Sequence, residues 1–241
     1  MTAEVTGFLD LGLVAIGAVL VMMLLVNVAS HQMPQLYLFW CLGGSVVVLA
    51  IGLLDGATLG DLGLAPSTWP AGLIWSAVLI GIVLVVYAVG FAWRRTQRAF
   101  ADRRIAAMST RRAIWNALVE LPFGTVLFEE VAFRGVLYAM LVSRSGVPWA
   151  IAWCSILFGL WHILPSLGSH ESNAALGNVA GQGRRGNVVA VGLSVLGTGA
   201  FGVVFCLLRQ LIGSLFPPMA LHWALNGWGY VFARHASRRQ Q

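Results

Sequence analysis

The chain has 241 residues, 59% of them hydrophobic and 10% charged, with a mean hydropathy of +0.82. That profile excludes a soluble domain closed around an interior core and points to an all-α, polytopic transmembrane helical bundle. The formal charge is +6 and every basic residue is Arg, but the Arg lie between apolar runs, which suggests anionic lipid as the partner rather than nucleic acid.

The first residues contain Glu4 and Asp10 and no Arg. A cleaved leader needs a basic start, so the first apolar run, about Gly7 to Val28, reads as a retained span. A polar break at Ser30 to Gln35 contains Pro34. Span two runs from about Leu36 to Leu54, a turn-rich loop covers residues 55–70, and span three runs from about Ala71 to Trp93. Each is near the roughly 20 residues a helix needs to cross a bilayer. Residues 94–112 then hold seven Arg against Asp102, with Phe100, Ile105 and Met108 interleaved. This reads as a basic amphipathic connector on the membrane surface, and a solvated loop accounts for the same composition.

Pro122 marks a break or kink, and span four is expected from about Pro122 to Val142. Glu129 then lies about 10 Å inside the membrane. Span five covers about Val147 to Leu164, and residues 166–187 form a Gly-, Ser- and Asn-rich loop without regular structure, either functional or mobile. Spans six and seven are about Val188 to Ile212 and Phe216 to Phe232, which brings the count to about seven. Residues 1–112 form an N-terminal unit of three spans and the connector, and residues 113–241 carry the intramembrane ionisable groups. Cys41, Cys154 and Cys206 all lie in apolar runs without C-x-x-C spacing, so no disulfide is expected.

The Arg distribution orients the chain in a cell membrane. With the N-terminus outside and the C-terminus cytoplasmic, twelve of the fifteen Arg fall in inner loops and the tail. Arg144 and Arg209 lie at outer ends, and Arg134 is inside the membrane.

Three polar clusters interrupt the second half. FEEVAFRG, residues 128–135, holds Glu129, Glu130 and Arg134. Charges at this depth cost roughly 2.5–3.5 kcal/mol each on insertion scales and usually face an interior. Glu130 and Arg134, four apart on a helix, can pair, which leaves Glu129 free for chemistry. FGLWH ends in His162, and HWALN places His222 and Asn226 on one helix face. Two chemistries suit these groups. Glu129 and His162 can hold and deprotonate a water while His222 and Asn226 donate to a developing oxyanion. Alternatively, Glu129, His162 and His222 can bind zinc with one position open. No H-E-x-x-H is present. No acid neighbours His162 or His222 to orient them, and Glu130 is assigned to Arg134, so the metal-free reading is preferred. The expected boundaries leave one conflict: His162 lies near the inner surface and His222 nearer the outer one.

E-E-x-x-x-R, F-x-x-x-H and H-x-x-x-N, in this order on successive spans, resemble the CPBP family of intramembrane proteases. This is the CAAX protease and bacteriocin-processing (Abi) group, which includes the type II CAAX prenyl endopeptidases. The likeness runs from about Val119 to Tyr230, with support from SLFPPMALHWALN at residues 214–226 and DLGL at residues 61–64. It implies a catalytic core in residues 113–241, with water activation by Glu129 and His162. It also implies an oxyanion site at His222 and Asn226, with Glu130 and Arg134 in support. The implied substrate is a membrane-associated peptide or protein, reached from the cytoplasmic side. Both a glutamate and a zinc mechanism belong to this implication. The rival readings are a non-catalytic scaffold or immunity protein of the same fold, and a transporter whose Glu and His relay protons.

Overall fold

Apolar runs free of internal proline become the long helices of the computed structural model, which describes residues 11–94, 96–100 and 102–238. Glu4, Asp10, the expected start of span one at Gly7, Arg95 and Arg239 lie outside the described residues. Helix α1 spans Leu11–Gln32, α2 Tyr37–Leu54 and α3 Trp69–Ala92. Pro34 and Pro66 each open a short 3-10 turn ahead of α2 and α3, where a missing N–H removes no helical bond. α3 buries only Gly72 and Val83, while Ile74, Val85, Val86 and Val89 are exposed. An apolar face of that extent is a lipid-facing surface.

The connector folds as a 3-10 turn, Gln97–Phe100, followed by α4, Arg103–Ala107. Asp102 caps α4 by accepting from the N–H groups of Arg104 and Ile105, and forms an isolated antiparallel bridge with Asn173. Ser109 caps α5, Thr110–Trp115. From there the chain stays helical to Ser145: a π-helical stretch Asn116–Val126, α6 Leu127–Glu130, a second π-helical stretch Val131–Leu137, and α7 Tyr138–Ser145. The break expected at Pro122 is therefore absent. Pro122 sits inside the first π-helical stretch, whose wider turns accommodate its ring and its missing donor.

α8, Val147–Trp161, stops sooner than expected and bends by 41° into the segment Ile163–Ser172. That segment comprises α9, Ile163–Ser166, and α10, Ser169–Ser172. α11 covers Ala174–Ala180, α12 Gly183–Ile212 and α13 Phe216–Arg238. The loop expected over 166–187 is thus largely short helices. Asn173 caps α11 through Leu176 N–H, and Gly168 and Gly181, at φ 73° and 87°, make the turns between them.

Small residues let α8 and α12 meet backbone to backbone. A Cβ added to Gly202 would lie 2.9 Å from Ser155 Cα, and one on Gly159 would lie 2.6 Å from the Val195 carbonyl oxygen. This contact sets the end of α8 from which His162 projects. Phe133, Leu137, Phe158, Phe205 and Leu215 fill the interior beside it.

By length and apolarity, four helical runs among the described residues can cross a membrane: Leu11–Gln32, Pro34–Leu54, Pro66–Ala92 and Gly183–Ile212. The bent pair beginning at Val147 makes a fifth. The chain is therefore an all-α bundle of an integral membrane protein, but the expected seven spans are not all of this kind. Expected spans four and seven fall on helices interrupted by charge and polarity, the first carrying Glu129, Glu130 and Arg134 and the second His222, Asn226 and Arg234.

Candidate active site

A cavity of about 510 Å³ is lined by Glu129, His162, His222 and Asn226. Asn27 and His31 of α1 and Tyr37 and Cys41 of α2 add to its wall, and Arg104, Pro165 and Tyr230 lie at the connector end. The three polar clusters of the sequence meet here.

Glu129 is 5% exposed. Its Oε1 accepts a hydrogen bond from the Trp161 indole at 2.9 Å. Its Oε2 is buried and has no hydrogen-bond partner. Two imidazole nitrogens face that atom, Nε2 of His162 at 4.0 Å and Nε2 of His222 at 3.8 Å. The tautomers follow from the opposite side of each ring. His162 Nδ1 lies 2.8 Å from the Phe158 carbonyl, which can only accept, so Nδ1 carries the proton and a neutral ring presents a lone pair on Nε2. His222 Nδ1 lies 2.8 Å from Glu130 Oε1 and donates to it in the same way.

Glu130 has two partners. Arg134 Nη1 donates to the same Oε1 at 3.1 Å, and both side chains are fully buried. The expected contact of Glu130 with Arg134 is present, and the same oxygen also takes His222. The Arg134 guanidinium lies 3.9 Å from the Phe158 ring centroid and 4.8 Å from that of Phe205, so aromatic faces take the place of water around the charge. His222 stacks on Phe205 at 5.3 Å between centroids. Asn226 borders the cavity one turn beyond His222 and is exposed.

The depth conflict disappears for two reasons. α8 ends at Trp161 and turns at His162 rather than running on as a straight span. The start of α13 is sunk: Leu215 is fully buried and its N–H donates to the Gly63 carbonyl under the 55–65 loop.

Three members of the site escaped the motif reading. Trp161 was only a neighbour of His162, and nothing in F-x-x-x-H marks its N–H. Asn27 and Tyr37 belong to spans outside the motifs. Asn27 did leave a signal, as a lone amide within an apolar run that needed a buried partner. Its Nδ2 donates to the Trp161 carbonyl at 3.0 Å. Tyr37 pairs with Thr125 at 2.6 Å on the opposite wall.

The donor set does not form a compact metal shell. Among the described residues no group of three or more His, Cys, Asp or Glu is arranged to hold one. The gaps of 4.0 and 3.8 Å exceed the roughly 3.4 Å between ligands in a tetrahedral zinc shell. Both imidazoles nevertheless have the orienting partners that their sequence neighbours do not supply. A carbonyl fixes His162 and a carboxylate fixes His222, as metal-bound imidazoles require.

Residues 110–228 match the family model described as type II CAAX prenyl endopeptidase Rce1-like. No curated protein and no solved structure matches the chain. The matched segment begins at α5 and includes Glu129, Glu130, Arg134, His162, His222 and Asn226, whereas Asn27 and Tyr37 precede it. The matched segment is a domain of the CPBP/CAAX protease family.

Proposed function

We propose that this protein is an intramembrane endopeptidase that cleaves a peptide bond of a membrane-associated peptide or protein. The observation that carries the reading is the unpartnered, buried Oε2 of Glu129 facing two imidazole Nε2 atoms. An orphaned buried acceptor is costly unless something fills it. A water between Glu129 Oε2 and His162 Nε2 can donate one O–H to each, which leaves an oxygen lone pair for a carbonyl carbon. As the C–O bond forms, the water proton passes to Glu129 and the carbonyl electrons move onto oxygen. His222 Nε2–H and the Asn226 amide then stabilise that oxyanion. Collapse breaks the C–N bond, and Glu129 returns the proton to the leaving amine. With Nδ1–H held by Glu130, an Nε2–H makes His222 an imidazolium. The group Glu129, Glu130, Arg134 and His222 is then neutral, two negative charges against two positive.

The separation of this cavity from a second one at the other end of the helix favours an enzyme over a transporter. On the 110–145 helix, Glu129 borders this cavity and Tyr138 borders a second one. Phe133, Val136 and Leu137, all buried, lie between them, and the two cavities share no lining residue. Entry is from the Arg104 side, which the Arg distribution makes cytoplasmic, with anionic lipids at that face. External labelling of a single cysteine placed in the 94–112 connector would reverse this orientation.

A zinc reading keeps one observation in its favour, the two oriented imidazoles. Glu129, His162 and His222 would hold the ion, and zinc would supply Lewis-acid activation of water. Metal analysis beside a chelation assay separates the readings. Stoichiometric zinc, lost and restored together with activity, overturns the metal-free mechanism. The overall function is tested by proteomics of cleaved membrane peptides in cells with wild type or Glu129→Ala. Cleavage products that require Glu129 are expected, and identical peptide sets would sink the enzyme reading.

A further inference from the structure

We infer that Trp161, tied in place by Asn27 of α1, is the positioning residue for the Glu129 carboxylate. This rests on the reading of Glu129 as the base.

Trp161 is the last residue of α8. Its carbonyl would ordinarily accept from the N–H four residues on, but that residue is Pro165, which has no donor. The local sequence therefore orphans this carbonyl at the bend, and Asn27 Nδ2 fills the vacancy at 3.0 Å. The ring is held on two further sides, by Phe128 at 5.7 Å and Phe133 at 5.9 Å between centroids. With carbonyl and ring both fixed, the indole N–H is aimed at Glu129 Oε1 at 2.9 Å.

An indole N–H can only donate, so it occupies one carboxylate oxygen and stabilises negative charge there. It also fixes the plane of the carboxylate. Oε2 is left as the single free acceptor, 4.0 and 3.8 Å from the two histidines. A tryptophan that merely anchors a helix at the membrane interface sends its N–H to water or headgroups. Here the N–H points inward. The tie also makes α1 part of the site, although α1 lies outside the family-matched segment 110–228.

Two measurements on the full-length protein in detergent test this. The first is cleavage of an internally quenched, farnesylated C-A-A-X peptide. It compares Trp161→Phe, the sulfur isostere 3-benzothienylalanine at position 161, Asn27→Ala and Glu129→Gln. The isostere keeps the ring volume and removes only the N–H. Loss of a hydrogen bond to a charged group predicts kcat about 10- to 100-fold lower for Trp161→Phe and the isostere alike, with KM within about twofold. Asn27→Ala, which removes a neutral bond, predicts about 2- to 10-fold. The second is ultraviolet resonance Raman of the indole N–H, isolated as the difference between wild type and Trp161→Phe and repeated in a Glu129→Leu background. A hydrogen-bonded signature that weakens in Glu129→Leu is expected whether or not the probe peptide is cleaved. An isostere with wild-type kcat beside an inactive Glu129→Gln, or a signature unchanged in Glu129→Leu, overturns the positioning role alone. An active Glu129→Gln instead overturns the underlying reading of Glu129 as the base.

Discussion

The two ends of the bundle use charge in opposite ways. α2 shows the separation: Tyr37 at its start borders the Glu129 cavity, and Asp55 just past its end borders a second cavity of about 370 Å³. In the second cavity the charges act as staples. Arg144 pairs with Asp55 at 3.0 Å, Arg209 donates to the Gly60 and Asp61 carbonyls at 3.1 and 2.7 Å, and Tyr138 donates to Gln210 at 2.7 Å. In the first cavity Glu129 keeps one oxygen unpartnered between two imidazoles. Charge satisfied by neighbours holds helices together, whereas charge left unsatisfied at the wall of a cavity is available to a reactant. Glu130 and Arg134 pair with each other in the interior next to Glu129 but do not line its cavity.

If this division holds, the largest effect comes from the unsatisfied group. Glu129→Gln keeps the shape and the acceptor for Trp161 but removes the base. Activity is expected to fall by about 10²- to 10⁴-fold, with the yield of monodisperse protein after detergent extraction unchanged. Arg134→Met should do the reverse. It leaves Glu130 buried without its ion partner, a change worth about 3–5 kcal/mol, so folded yield itself should collapse. Equal loss of folded protein in both variants would erase the distinction between the two glutamates.

The polar groups that converge were more legible in the sequence than the architecture that brings them together. Six residues on three helices were identifiable because ionisable groups in apolar runs are expensive and their spacing is helical. How they meet was not legible, since the bend at His162 and the buried Leu215 depend on contacts with distant elements. Those contacts are the Asn27 tie to Trp161 and the Gly63 carbonyl. Pro122 misled for a related reason. Its local preference to break a helix is overridden where packing holds the chain in π-helical turns. The short helices of residues 166–182 were hidden by composition.

Arg209 tests the staple end directly. It is 6% exposed and lies on α12, while its acceptors lie in the 55–65 loop. Arg209→Ala removes charge-assisted bonds to two carbonyls and should cost about 1.5–3 kcal/mol, read as a lower thermal midpoint in detergent. Activity per folded molecule should stay unchanged, because Tyr138 and Arg209 border only the second cavity and not the Glu129 cavity. A tenfold fall in kcat of the folded Arg209→Ala protein would show that the two ends are coupled.

The smallest expected effect is the pH response of Asp61. Its carboxylate accepts from Thr58 N–H at 2.9 Å and from the Thr58 hydroxyl at 2.6 Å, and these bonds hold its pKa below the ordinary carboxylate value. A group whose folded pKa is depressed contributes stability above its unfolded pKa, about 3.9, and loses that contribution as pH falls through the folded value. The group is exposed and outside the spans, so solvent screens the gain and only a small change in midpoint is expected. Asp61→Asn should therefore flatten the acid side of the thermal-midpoint profile slightly and leave the neutral side lower by the same small amount. It should not alter the cleavage profile, because Asp61 borders only the second cavity and not the Glu129 cavity. If the cleavage profile moves with Asp61→Asn, the loop at the staple end reports to the base, and the separation of the two ends fails.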